Sequence, residues 1–181
     1  MSIKTSKKYN NIQVALHWLV ALMVLFMLIM GTFVLAQTPN SDPSKVTALR
    51  GHMIFGSAIL LLTLIRLVWR RMSAQPDHAE TDNALLDKLG IAAHYALNLL
   101  TLLVAAGGIG IAFQAGLPGI VFGGQGNLPS DFWAYTPRIV HGILTKLLAA
   151  LIILHVVGAI YHQFIIKDRL FARIWFGKRD R

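Results

Sequence analysis

An all-α membrane protein, a bundle of four transmembrane helices with both termini in the cytoplasm, is the fold class that three observations predict. The 181 residues are 55% hydrophobic and only 14% charged, with a mean hydropathy of +0.58, whereas a soluble domain carries about 25% charged residues. The charges lie in short clusters between long neutral stretches. The basic clusters also fall unequally on the two sides of those stretches. The formal charge of +9 is therefore not a basic face, and nucleic acid is not an expected partner. The absence of cysteine excludes disulfides, iron–sulfur clusters and thioether-linked haem.

The first helix is predicted over about 12–36. No Asp, Glu, Lys or Arg occurs between Lys8 and Asp42, and this run can cross about 30 Å of hydrocarbon. It is longer than the apolar core of a cleavable signal, about 7 to 15 residues, and is expected to be retained. The second helix is predicted over about 47–71, closed by Arg70 and Arg71. The longest neutral run lies between Lys88 and Asp131, but Gly116, Pro118, Gly119, Gly123, Gly124, Gly126 and Pro129 punctuate its second half. A third helix is therefore expected over 84–113 and a turn-rich loop up to Thr136. Pro137 suits the first turn of a fourth helix over 137–166. The tail, 167–181, mixes basic residues with Leu170, Phe171, Ile174, Trp175 and Phe176, as an interfacial segment does. A single membrane domain over 1–181 follows.

Orientation follows the retention of Lys and Arg in the cytoplasm. Twelve lie on the side of the two termini: Lys4, Lys7, Lys8, Arg70, Arg71, Lys88 and six in the tail. Lys45, Arg50 and Arg138 lie on the other. Arg66 and Lys146 sit inside apolar sequence.

Of seven histidines, His78 lies in a polar loop. His17, His52, His94, His141, His155 and His162 all fall inside predicted helices. A ring in hydrocarbon costs free energy unless it is bonded or ligates something. One such histidine commonly just packs or hydrogen-bonds; six together call for another explanation. His141 and His155 are 14 residues apart, about 40° out of register and about 21 Å apart along one helix. That spacing suits two haems stacked across a bilayer, each taking one axial imidazole from this helix. Zinc or copper sites generally add carboxylate or thiol ligands, and these spans hold no acid beyond Asp87 at one boundary. His52 and His141 each lie about four residues into a helix, roughly 6 Å deep on the outer side, and form the expected outer pair. On the inner side depth alone accepts His17 with either His155 or His162.

The strings IQVALHWLV (Ile12–Val20), GHMIFG (Gly51–Gly56) followed by Arg66, then AAHYALNLL, VHGIL and LHVVGAIYHQFIIKD resemble the bacterial cytochrome b-561 family over nearly the whole chain. The resemblance implies a four-helix protein of the bacterial inner membrane carrying two b-type haems. It implies His17 with His155 as ligands of the inner iron and His52 with His141 as ligands of the outer. The best-understood relatives are superoxide oxidases, which take an electron from superoxide at the periplasmic face and pass it through both haems to ubiquinone. The superfamily also contains haem-bearing anchor subunits of hydrogenases and formate dehydrogenases. The compactness of this chain favours the free-standing enzyme, expected to work as a monomer. A haem-free transporter or assembly factor, its histidines lining a polar path, is a third reading.

Two imidazoles per iron leave no open coordination position, so the expected chemistry is outer-sphere electron transfer. For superoxide, an anion, positive potential near the outer haem raises the encounter rate. Lys45, Arg50 and Arg138 are the candidates for that role, with propionate pairing as their simpler one. At the inner side a quinone needs hydrogen-bond donors and access from lipid. His94 and His162 are the candidates, together with Arg66, which lies 14 residues from His52 on the same helix face. For Arg66 the simpler role is a charge reaching out to the cytoplasmic surface.

Overall fold

The computed structural model describes residues 8–76 and 83–177. His78, Lys4, Lys7, Lys178, Arg179 and Arg181 lie outside the described residues. Helix α1 (Asn11–Ile29) runs on as a π-helical turn, Met30–Leu35. It starts at a reciprocal cap in which the Gln13 amide donates to Asn10 Oδ1 (2.8 Å) and the Asn10 amide donates to Gln13 Oε1 (3.2 Å). Helix α2 spans Ser44–Met72 and α3 spans Ala84–Gln114. A short α4, Leu117–Gly123, and a 3₁₀ turn, Phe132–Ala134, precede α5 (Thr136–Tyr161). Helix α5 ends in a second π-helical turn, His162–Ile166, and α6 (Leu170–Arg173) follows.

Four spans of 25, 29, 31 and 31 residues are long and apolar enough to cross a membrane, since each exceeds about 37 Å at 1.5 Å per residue. Their outward faces are apolar: Leu22, Leu61, Ile153 and Leu154 are each at least 60% exposed. Such a surface is solvated by lipid and not by water.

An even number of spans puts both ends on one face. There the Tyr9 amide donates to the Arg173 carbonyl (3.1 Å) and the Trp18 indole to that of Ile174 (3.0 Å), tying the tail to the start of α1. We call this the inner end.

Inside, α3 packs along α5, α2 packs on both α1 and α3, and two apolar clusters fill the bundle. Val20, Val24, Ile59 and Leu148 join all four long helices with Leu97 and Val104 at mid-depth. Leu49, Ile111, Ala112, Leu117 and Val121 form the other cluster at the outer end.

The structure corrects the expected loop over 114–136, because α4 folds there as a plug with Val121 wholly buried. Gly116 and Gly124 bound it in the left-handed region (φ 62° and 64°), where a Cβ is strained, and Pro118 sits in its first turn. Helix α2 begins at Ser44, three residues before the expected 47, because Asp42 Oδ1 accepts the Ser44 amide (2.8 Å). This hydrogen bond holds the Asp42 carboxyl below its ordinary range.

Candidate functional site

At the outer end His52 of α2 and His141 of α5 face one another, ring centres 6.3 Å apart and planes at 70°. Taking the zinc–imidazole distance of about 2.0–2.1 Å as a guide, with the ring centre about 1.1 Å further, two rings flanking one metal lie about 6.3 Å apart. His141 Nδ1 is 2.8 Å from the Val104 carbonyl oxygen. Donation of its proton there leaves Nε2 as the nitrogen with a lone pair. Both rings border a mostly apolar cavity of about 860 Å³.

Glycines shape that cavity. A Cβ on Gly31 would stand 3.5 Å from the His52 ring, one on Gly107 3.3 Å from His141 Cβ, and one on Gly108 3.5 Å from the His141 ring. Gly31, Gly56, Gly108 and Gly142 border it.

The expected outer cations fare differently. Lys45 is buried on the cavity wall and its ammonium donates to the carbonyls of Leu35 and Thr38. Arg138 lines the cavity with its guanidinium 4.4 Å above the Trp133 ring. Lys146 also lines it, and Asp131 is the one acidic lining residue. Arg50 departs from expectation: its Nη2 and Nε donate to the Val121 carbonyl, at 2.6 and 3.1 Å, so it clamps α4 and is absent from the lining. The cause is α4 itself, whose carbonyls need partners.

At the inner end His94 of α3 packs edge-on against His155 of α5, ring centres 5.0 Å apart. His17 lies close enough to both for electrostatic interaction. Arg66 turns into the bundle and away from the surface: one Nη is 3.3 Å from His17 Nδ1 and the other donates to Asn98 Oδ1. Arg66 Nε and Thr63 Oγ1 are buried without hydrogen-bond partners.

His162 stands apart from this group, its Nδ1 2.7 Å from Asp168 Oδ2. Thus His94, expected at a quinone site with His162, is instead brought to His155. Sequence reasoning missed Asn98, a lone amide in an apolar helix four residues after His94, and Asp168, six residues after His162. Both were visible as polar residues beside a histidine.

The sequence model of the family described as prokaryotic cytochrome b561 matches residues 8–177. The chain belongs to the prokaryotic cytochrome b561 family. Cytochrome b562 of Cereibacter sphaeroides is 32% identical over 170 residues, covering 92% of this chain and 94% of that one. The protein named Probable superoxide oxidase CybB of Yersinia pestis is 26% identical over 179 residues, covering 96% and 98%. Cytochrome b561 homolog 2 of Escherichia coli is 26% identical over 178 residues, covering 94% and 92%.

As a cytochrome b561, this multi-pass bacterial membrane protein is an oxidoreductase that moves electrons across the bilayer on haem b. The residues fit that group. The outer rings have the separation a shared metal requires, next to a glycine-walled apolar cavity bordered by cations. Arg66, beside His17, has an orphaned buried Nε, which a cofactor with polar side arms would satisfy. Among the described residues no group of three or more His, Cys, Asp or Glu could hold a bare metal ion, whereas a porphyrin supplies four ligands of its own and asks two of the protein.

Proposed function

We propose that the chain is a superoxide:ubiquinone oxidoreductase of the bacterial inner membrane, with one haem b held by His52 and His141 and a second by His17 and His155. The observation that carries this reading is the facing outer histidine pair beside a cavity lined by Arg138, Lys45 and Lys146. Its supports are the basic residues at the end that holds both termini and the likeness to a protein named as a superoxide oxidase.

Haem held by these histidines would supply one-electron redox chemistry. The chain does the rest. Helix α5 sets His141 and His155 about 21 Å apart along one face, and the Val104 carbonyl orients His141. Positive charge along the cavity lining draws superoxide in, and the apolar walls keep bulk water out. Arg66, held by Asn98, supplies an inner positive charge for propionates or for a quinone oxygen. His162 and Arg66 are the donors proposed at the quinone site, while His94, packed on His155, belongs with the haem-bearing group. A single chain contains every part of this path.

The test uses the purified chain alone. Rapid haem reduction by superoxide, followed by ubiquinone-dependent reoxidation, is expected. Inertness in the absence of a dehydrogenase partner would instead make it a haem-bearing anchor subunit, and a visible spectrum without a b-type α-band would leave a haem-free transporter.

A further inference from the structure

We infer that Asp168 is the positioning residue of a proton-delivering His162, and that the pair forms the inner proton port for the ubiquinone reduction proposed above, on which this inference rests. His162 follows His155 by seven residues on α5, two turns toward the inner end and within about 20° of the same face. It therefore lies about 10.5 Å beyond the proposed inner ligand, between the haem-bearing core and inner water. Asp168 Oδ2 lies 2.7 Å from His162 Nδ1, and both side chains are largely buried. The carboxylate accepts a hydrogen bond from Nδ1–H, which leaves Nε2 as the ring nitrogen free for proton exchange. Tyr161, Phe164 and Ile165 beside it are exposed on the apolar flank, which opens the position to a lipid-soluble molecule.

The backbone around Asp168 is built for this contact. Lys167 and Arg169, on either side, are the only non-glycine residues with positive φ among those described (62° and 56°). Two side-chain-bearing residues in the left-handed region are costly and persist where surrounding contacts over-determine them. Here the contacts are the Leu170 amide donating to Asp168 Oδ1 (3.0 Å), the Phe171 amide donating to Gln163 Oε1 (3.3 Å) and the Asp168 amide donating to the His162 carbonyl (3.4 Å). An ordinary helix exit toward α6 needs none of that strain. The double left-handed turn folds the carboxylate back onto the imidazole.

Reducing a quinone to a quinol converts two C=O bonds to C–OH and consumes two electrons and two protons. Two superoxide ions supply the electrons through bound haem and leave as dioxygen. Inner water supplies the protons. His162 passes the proton on Nε2 to a quinone oxygen and takes another from inner water at the same atom, while the Nδ1 proton stays on the ring, hydrogen-bonded to Asp168 Oδ2. The carboxylate balances the charge the ring carries when both nitrogens are protonated.

The experiment uses the haem-loaded protein, reduced with dithionite, freed of excess reductant and mixed anaerobically with ubiquinone-1 or with ferricyanide, which takes an electron without a proton. Asp168→Asn still offers an oxygen to the Leu170 amide but removes the carboxylate. It is expected to slow haem reoxidation by saturating ubiquinone-1 about 10- to 100-fold with the half-saturating concentration little changed. Ferricyanide reoxidation should stay at the wild-type rate, and Asp168→Glu should recover most of the loss. Should Asp168→Asn fail to fold, His162→Gln is the substitute, with the same selective slowing expected. Equal rates with ubiquinone-1 in wild type and variant, or equal slowing with both oxidants, overturns the inference while the quinone reading stands. A wild-type protein that ferricyanide oxidises and ubiquinone-1 does not would remove the quinone reading itself.

Discussion

His141 Nδ1 sits 2.8 Å from the carbonyl oxygen of Val104, a hydrogen bond from α5 to α3 that fixes the ring at the outer end. It exists because Gly107 and Gly108 let the helices close: a Cβ at 107 would stand only 3.3 Å from His141 Cβ. Helix α3 carries no ligand in the proposed set, yet its glycines and one carbonyl aim an imidazole that α5 carries. This division of labour is the usual one around a metal, where the neighbour of the ligand sets its tautomer and direction.

Gly107→Val is accordingly expected to push α5 off α3 and lower stability by about 1–3 kcal/mol. Haem per polypeptide should fall toward one equivalent, with Gly107→Ala intermediate. The measurement is haem content against protein concentration, beside a thermal unfolding curve in detergent. Full haem content in the valine variant would show that the close approach is not needed.

His141→Ala and His155→Ala should each remove one of the two haems proposed. A redox-titrated visible spectrum of each variant, with an iron count, checks this. Loss of both haems in either variant would point to one cooperative site, and loss of none would defeat the ligand assignment.

Asn98→Leu leaves Arg66 buried with a lost acceptor and an already orphaned Nε. The expected cost is about 1–3 kcal/mol, read as a lower unfolding midpoint. Because the damage comes from the unpaired charge, Arg66→Met combined with Asn98→Leu should recover part of it. A double variant less stable than Asn98→Leu alone would contradict this account.

Arg138→Gln should slow superoxide-driven haem reduction about three- to tenfold at low ionic strength, with the difference vanishing in high salt. Arg50→Gln tests the clamp on α4: a lower unfolding midpoint is expected, with the salt dependence of the superoxide reaction kept. An Arg50 variant that loses the salt dependence would return that residue to the superoxide path.

The four spans were legible because hydropathy is local: thirty apolar residues read the same whatever they pack against. Depth was legible too, since rise per residue is constant: the arithmetic placed His52 and His141 at one level, and in the fold their ring centres are 6.3 Å apart. Azimuth was not. Depth left His17 with either His155 or His162, and only the rotation and packing of α3 against α5 bring His94 onto His155. Arg66 likewise reads as a surface charge until Asn98, on another helix, is placed beside it.

The amino-acid order alone was enough for the membrane class, the number of crossings, the side of the termini and the depth of each imidazole, all properties that add up along one chain. Packing between helices settled what each polar group touches. It put Arg50 on Val121, Lys45 on two carbonyls and Asp168 on His162, because those partners lie across turns and helix faces whose path no local pattern encodes.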